Sequence, residues 1–76
     1  MRSITSIIPT DDFLLLIKFE NGIEKKFDIK PFLELPVFFP LKDKTVFKTV
    51  SNKGYFVEWQ NEEIDLSADT LWHEGK

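Results

Sequence analysis

Phe13-Leu14-Leu15-Leu16-Ile17-Lys18-Phe19-Glu20-Asn21-Gly22-Ile23-Glu24-Lys25-Lys26-Phe27 decides the fold. Asn-Gly between two apolar runs is the strongest short-range hairpin signal, because a type I′ turn needs positive φ at both central residues. Before the turn, residues 13–19 read as a strand. Phe13, Leu15, Ile17 and Phe19 share one face by the period-two rule, and Leu14, Leu16 and Lys18 share the other. A strand apolar on both faces is expected to be central, with something covering each side. After the turn, residues 23–27 read as the partner strand, with Ile23, Lys25 and Phe27 alternating with Glu24 and Lys26.

Residues 3–8 read as a first strand, closed by a Pro9-Thr10-Asp11-Asp12 turn. Downstream, Asp28 has the character of a helix N-cap, able to accept from the amides two and three residues on. Pro31 then falls in the first helical turn, and Pro36 ends the helix. Phe32, Leu33 and Leu35 are expected to pack inward. Pro36-Val37-Phe38-Phe39-Pro40-Leu41 is apolar yet bracketed by prolines, which fits neither an ordinary helix nor an interior strand. A fourth strand is expected over residues 46–50. Ser51-Asn52-Lys53-Gly54 suits a three-residue loop with Gly54 left-handed. A fifth strand follows over residues 55–59, a turn over 60–63 and a sixth strand over 64–66. Ser67 caps a closing helix from Ala68 to about His73, with Asp69 in its first turn and Gly75 just beyond. The order βββ-α-ββ(β)-α describes one α+β domain over residues 1–76: a small antiparallel or mixed sheet of five to six strands with two short helices.

A chain of 76 residues has room for one core and buries only about 60% of the surface that its unfolded form exposes. It has no cysteine, so eight Phe and two Trp must supply the stability that disulfides or thiolate metal sites supply elsewhere. The net charge is −3 and the longest basic run is Lys25-Lys26, which argues against a phosphate-gripping face and direct nucleic-acid binding. No apolar stretch approaches the roughly 20 residues of a membrane span. The first six residues lack a signal peptide's apolar region and cleavage site, so a cytoplasmic location is the expectation.

Candidate chemistry is sparse. Asp65, Asp69 and His73 form the sharpest set: Asp69 and His73 stand one helical turn apart, and Asp65 approaches from the strand end, a weak candidate for a divalent metal. Equally, Asp69 suits the positive start of the helix and His73 its negative end. His73 is the only histidine, and nothing in the spacing aligns Ser3, Ser6, Ser51 or Ser67 with it for nucleophilic catalysis. Asp11-Asp12 and Glu62-Glu63 read as solvated turn charge, and the three glycines are too scattered for a phosphate loop. No catalytic residue, metal or cofactor is expected. Tyr55, Phe56, Trp59 and Trp72 could stack bases, but Glu58, Glu62 and Glu63 lie close in sequence and core packing is the simpler reading. The best partner surface is Val37, Phe38, Phe39 and Leu41. Consecutive Phe38 and Phe39 cannot both point inward from an extended segment, so one plugs the core while the other projects. The competing reading makes the segment a lid over the open sheet face.

The pattern resembles a family of small bacterial proteins, domain of unknown function 2442. The resembling residues are Leu14-Leu15-Leu16-Ile17-Lys18-Phe19-Glu20-Asn21-Gly22, Phe27-Asp28-Ile29, Leu41-Lys42-Asp43 with Phe47, Trp59, Asn61 and Asp65-Leu66-Ser67-Ala68-Asp69-Thr70-Leu71. The resemblance implies a small α+β fold and no established activity. It also implies a recognition module, since relatives resemble one half of a toxin–antitoxin-type pair or are fused to a helix-turn-helix domain. This chain has no helix-turn-helix segment, so DNA reading does not carry over. The expected role is a non-catalytic interaction module whose partner is another protein or a second copy of the chain. The alternative is a small-ligand sensor with an aromatic pocket between sheet and helix.

Overall fold

The structure, a computed structural model, describes residues 2–60 and 63–76. Its first sheet contains β1 (Ile4–Pro9), β2 (Leu14–Phe19) and β3 (Glu24–Asp28), antiparallel in the order β1-β2-β3. The doubly apolar strand is central, as its composition requires. Its hairpin to β3 forms, but with a three-residue loop rather than a type I′ turn. Gly22 N–H donates to Phe19 O at 2.9 Å and Phe19 N–H to Ile23 O at 2.9 Å. Only Gly22 takes positive φ, at 86°; Asn21 instead accepts from Ile23 N–H through Oδ1 at 3.0 Å. The β1–β2 loop repeats this scheme. Phe13 N–H donates to Thr10 O, Thr10 N–H to Leu14 O, and Phe13 stands at φ 63°. A left-handed phenylalanine costs about 1–2 kcal/mol. Its ring is placed 5.3 Å from that of Phe47, a contact that offsets the strain. Strand β2 therefore starts at Leu14, one residue later than its pattern suggests.

The remaining strands form a second sheet instead of extending the first: β4 (Ser51–Asn52), β5 (Phe56–Trp59) and β6 (Ile64–Ser67), antiparallel in that order. Gly54 takes the expected left-handed φ, 88°, but Ser51 and Asn52, expected in its loop, instead pair with Glu58 and Val57 as β4. The turn expected over residues 60–63 includes Asn61 and Glu62, which lie outside the described residues. The sheets meet where Ile4 N–H donates to Gly54 O at 2.7 Å and Asn52 Nδ2 to Ile4 O at 2.8 Å.

Between the sheets the chain departs from its pattern. The expected first helix shrinks to one 3-10 turn, Lys30–Phe32, with Pro31 at its start. Asp28 precedes the cap position and accepts from Lys30 N–H at 2.9 Å. A second 3-10 helix, Pro36–Lys42, follows. The strand expected over residues 46–50 is replaced by α1 (Lys44–Phe47). Thr45, Val46, Thr49 and Val50 favour a strand by β-branching, but two contacts outweigh that propensity. Asp43 caps the turn by accepting from Thr45 N–H at 2.9 Å, and helical geometry delivers Phe47 into the core at 0% exposure. The closing helix α2 (Ala68–Glu74) forms as its Ser67 cap requires, with Ser67 Oγ accepting from Thr70 N–H at 3.1 Å.

One core joins all of this. Leu15, Ile17, Phe19 and Phe27 from the first sheet meet Val57, Trp59 and Ile64 from the second, together with Phe47 and Leu71. Leu14 and Leu16, on the opposite face of β2, are only half-buried, and Ile8 beside them is exposed. That face was expected to be covered; it opens to solvent as a groove of about 550 Å³.

Gly75 is needed for closeness, not for φ, which is −76°. A Cβ there would stand 2.5 Å from Leu71 O and 3.2 Å from Lys25 Cβ. This lets Lys76 N–H donate to Lys26 O at 2.8 Å along the edge of β3. Gly75→Ala is expected to detach that tail, seen as faster hydrogen exchange at the Lys76 amide. Gly22→Ala meets open space and costs only backbone strain, about 1 kcal/mol in urea unfolding.

Candidate interaction surface

The proline-bracketed segment resolves into an inward and an outward side. A 3-10 helix has three residues per turn, so positions three apart eclipse. Phe38 and Leu41 accordingly share the inner side and are buried, Leu41 completely. Phe38 meets Phe32 edge-on at 6.1 Å, and Phe32 stacks on Phe27 at 5.3 Å, so the segment is anchored into the inner core. It does not lie over the open sheet face. Phe38 and Leu41 thereby leave the expected partner surface. Val37 (55% exposed) and Phe39 (46%) remain on it, joined by Leu35 (49%), which was expected to pack inward. Lys42 Nζ lies 4.7 Å from the centroid of the Phe39 ring and pairs with Glu34 at 3.7 Å. Pro36 and Pro40 restrict the backbone that displays these side chains, so little conformational entropy remains to be lost on binding.

The weak metal candidates do not converge. Asp65, Asp69 and His73 are all exposed, and Asp69 pairs with Arg2 at 3.0 Å. Among the described residues, no three His, Cys, Asp or Glu side chains come together to hold a metal ion. Ser67 is engaged in capping, and Ser3 Oγ donates to Glu20 at 3.3 Å. Asp11 pairs with Lys48 and is exposed. The aromatic residues considered for base stacking are scattered. Trp59 is buried, Tyr55 and Phe56 are exposed, and Trp72 is half-buried between cations, with Arg2 Cζ 4.5 Å and Lys25 Nζ 4.3 Å from its ring centroid.

Two features were not anticipated. The first is the open outer face of the first sheet. Its floor contains Ile8 and Leu16, and Lys18 and Lys26 alternate with Leu16 on the same side of the sheet. The alternation in residues 13–27 carried this signal, but the apolar half of it pointed to burial. The second is Glu58. It lies opposite Ser51 and Asp65 in the second sheet and is buried, with Oε1 3.4 Å from Lys53 Nζ. Its Oε2 is buried with no hydrogen-bond partner among the described residues. A glutamate followed in sequence by the charged pair Glu62-Glu63 gives no local sign of such burial.

Two carboxyls are held below their ordinary pKa of 3.8. For Asp28, partial burial pushes upward, but the Lys30 backbone N–H and ammonium outweigh it. For Asp11, the hydrogen bond from Lys48 is the main cause. A carboxyl with a depressed folded pKa adds stability above its unfolded pKa, and this is lost as pH falls through the folded value. Asp28→Asn is therefore expected to lower stability near neutral pH and to have a progressively smaller effect as pH falls below the ordinary carboxyl value of 3.8, measured as urea midpoints across that range.

Phe38→Ser empties part of the core and is expected to cost about 3 kcal/mol. Phe39→Ser changes only an exposed ring and is expected to stay within about 0.5 kcal/mol of the parent. Thermal denaturation of the two single variants checks the assignment of inner and outer sides.

The family model described as Protein of unknown function (DUF2442) matches residues 4–76. Neither the curated proteins nor the solved structures yielded a match to the chain.

Proposed function

Since the chain belongs to the family Protein of unknown function (DUF2442), which assigns no activity, we propose a role from its surface: it is a non-catalytic protein-interaction module. The observation that carries this reading is Val37 and Phe39, large apolar side chains left exposed on a proline-restrained 3-10 helix, with Leu35 exposed at its N-cap. A pre-ordered exposed aromatic such as Phe39 is suited to anchor a protein interface. We further propose that the protein acts in the bacterial cytoplasm as one component of a toxin–antitoxin-type pair. Its acidic balance, −3 overall, would favour a basic protein partner through complementary potentials. No helix among the described residues is long and apolar enough to cross a membrane.

A tagged pull-down from the native host, treated with nuclease, tests this reading with the parent chain and a Val37→Ser/Phe39→Ser variant side by side. One stoichiometric, nuclease-resistant protein is expected with the parent and is expected to be lost with the variant. An empty parent lane, or equal capture by the variant, would defeat it.

A further inference from the structure

We propose that the outer face of the first sheet is a second docking site, and that its occupant is an acidic amphipathic helix of a partner protein. The site shares no residue with the Leu35–Val37–Phe39 surface and does not depend on it. Its floor is Ile8 and Leu16, paired across β1 and β2, with Leu16 in turn opposite Lys26 on β3. Ser6, Lys18 and Lys76 complete the groove of about 550 Å³. A second groove, of about 490 Å³, reaches Leu14 and shares Lys26 and Lys76, so the open face is continuous.

The charge of this face selects the partner. The chain as a whole carries −3, yet the larger groove is lined by Lys18, Lys25, Lys26 and Lys76 against one carboxylate, Glu24. Lys25 is committed elsewhere, donating to Trp72 O at 2.6 Å. Lys18, Lys26 and Lys76 form no ion pair among the described residues. In contrast, Lys30, Lys42, Lys48 and Lys53 each pair with a carboxylate. Three uncommitted ammonium groups around an apolar floor match a segment with apolar residues on one side and Glu or Asp on its flanks. Glu24, opposite Lys18 in register, and Glu74 at the far groove, where Asp28 is paired with Lys30, leave room for a single basic residue at each end of such a segment.

Geometry selects a helix over an added strand. Each edge of the sheet carries a backbone bond to another part of the chain, Ile4 N–H to Gly54 O on β1 and Lys76 N–H to Lys26 O on β3. An incoming strand would compete with these bonds, whereas a helix lies on the face and leaves them intact. Strands of this length span about 17–20 Å, which a helix of about 12 residues covers at 1.5 Å per residue. The apolar floor disfavours a bare polyanion, whose phosphates would gain nothing from Ile8 and Leu16.

The probe is a synthetic peptide of about 14 residues, with Leu on one helical face and Glu on the others, compared with a version carrying Lys in place of every Glu. Each is titrated into the full isotope-labelled chain and followed by amide chemical shifts. The Glu peptide is expected to shift Ser6, Ile8, Leu16, Lys18 and Lys26, and to bind more tightly at low salt. The Lys18→Glu/Lys26→Glu variant, whose substitutions are solvent-exposed, is expected to keep a folded spectrum and to bind at least about tenfold more weakly. Several outcomes overturn the proposal: no shift at about 1 mM peptide, equal binding by the Lys peptide, or stronger binding of a single-stranded oligonucleotide to the same face. Shifts centred on Val37 and Phe39 instead would overturn this site while favouring the other surface.

Discussion

The buried hydrogen bond from Trp59 Nε1 to Phe47 O, 2.8 Å long, is the contact on which the two halves of the molecule depend. An indole N–H taken out of water needs an acceptor, and a carbonyl at the end of a one-turn helix lacks an intrahelical partner. Each satisfies the other in a place with 1% exposure or less. The rings add to the bond. Phe47 stacks on Trp59 at 6.2 Å and tilts against Phe13 at 5.3 Å. This short aromatic run links the second sheet through α1 to the β1–β2 loop of the first. It also explains why Phe13 tolerates a left-handed backbone that glycine would adopt more cheaply.

A second aromatic run governs the surface. Phe27, Phe32 and Phe38 form a chain of ring contacts from the first sheet outward. Once Phe38 is anchored, the three-residue repeat of a 3-10 helix leaves no freedom for its neighbours. Leu41 falls into the core, and Val37 and Phe39 are turned toward solvent. The exposed apolar side chains are thus a geometric consequence of core packing, held in place by the buried Phe38 and Leu41. In a 76-residue chain with no disulfide, such coupling is economical, since few side chains are available for either task.

Charge is partitioned as clearly as apolar surface. Trp72 gathers Arg2 and Lys25 over its ring and meets Phe19 at its edge, 5.1 Å away. That arrangement fastens α2 to the first sheet and turns the Lys25 ammonium away from the open face. Lys26, the next residue, alternates to the opposite side, as the strand period requires. Adjacent lysines that look like one basic run therefore perform different tasks, one within the tertiary structure and one on the outer face.

How much of this was legible in the sequence differs element by element. Period-two alternation in residues 13–27, left-handed glycines at 22 and 54 and the Ser67 cap are decided within a few residues, and the first three strands, the hairpin between β2 and β3, and α2 follow from them. The choice between a strand and a helix at residues 44–50 was not local. β-branched side chains pointed one way, and the Asp43 cap together with the demand for Phe47 beside Trp59 carried the other. Composition together with this local patterning determined that this is an aromatic-cored α+β chain with antiparallel strands. The tertiary structure alone decided that six strands divide into two sheets, that Phe38 rather than Phe39 enters the core, and that one face of β2 stays open. Each of those outcomes is a competition among distant side chains for one limited core, which no local rule of periodicity, capping or turn geometry can settle.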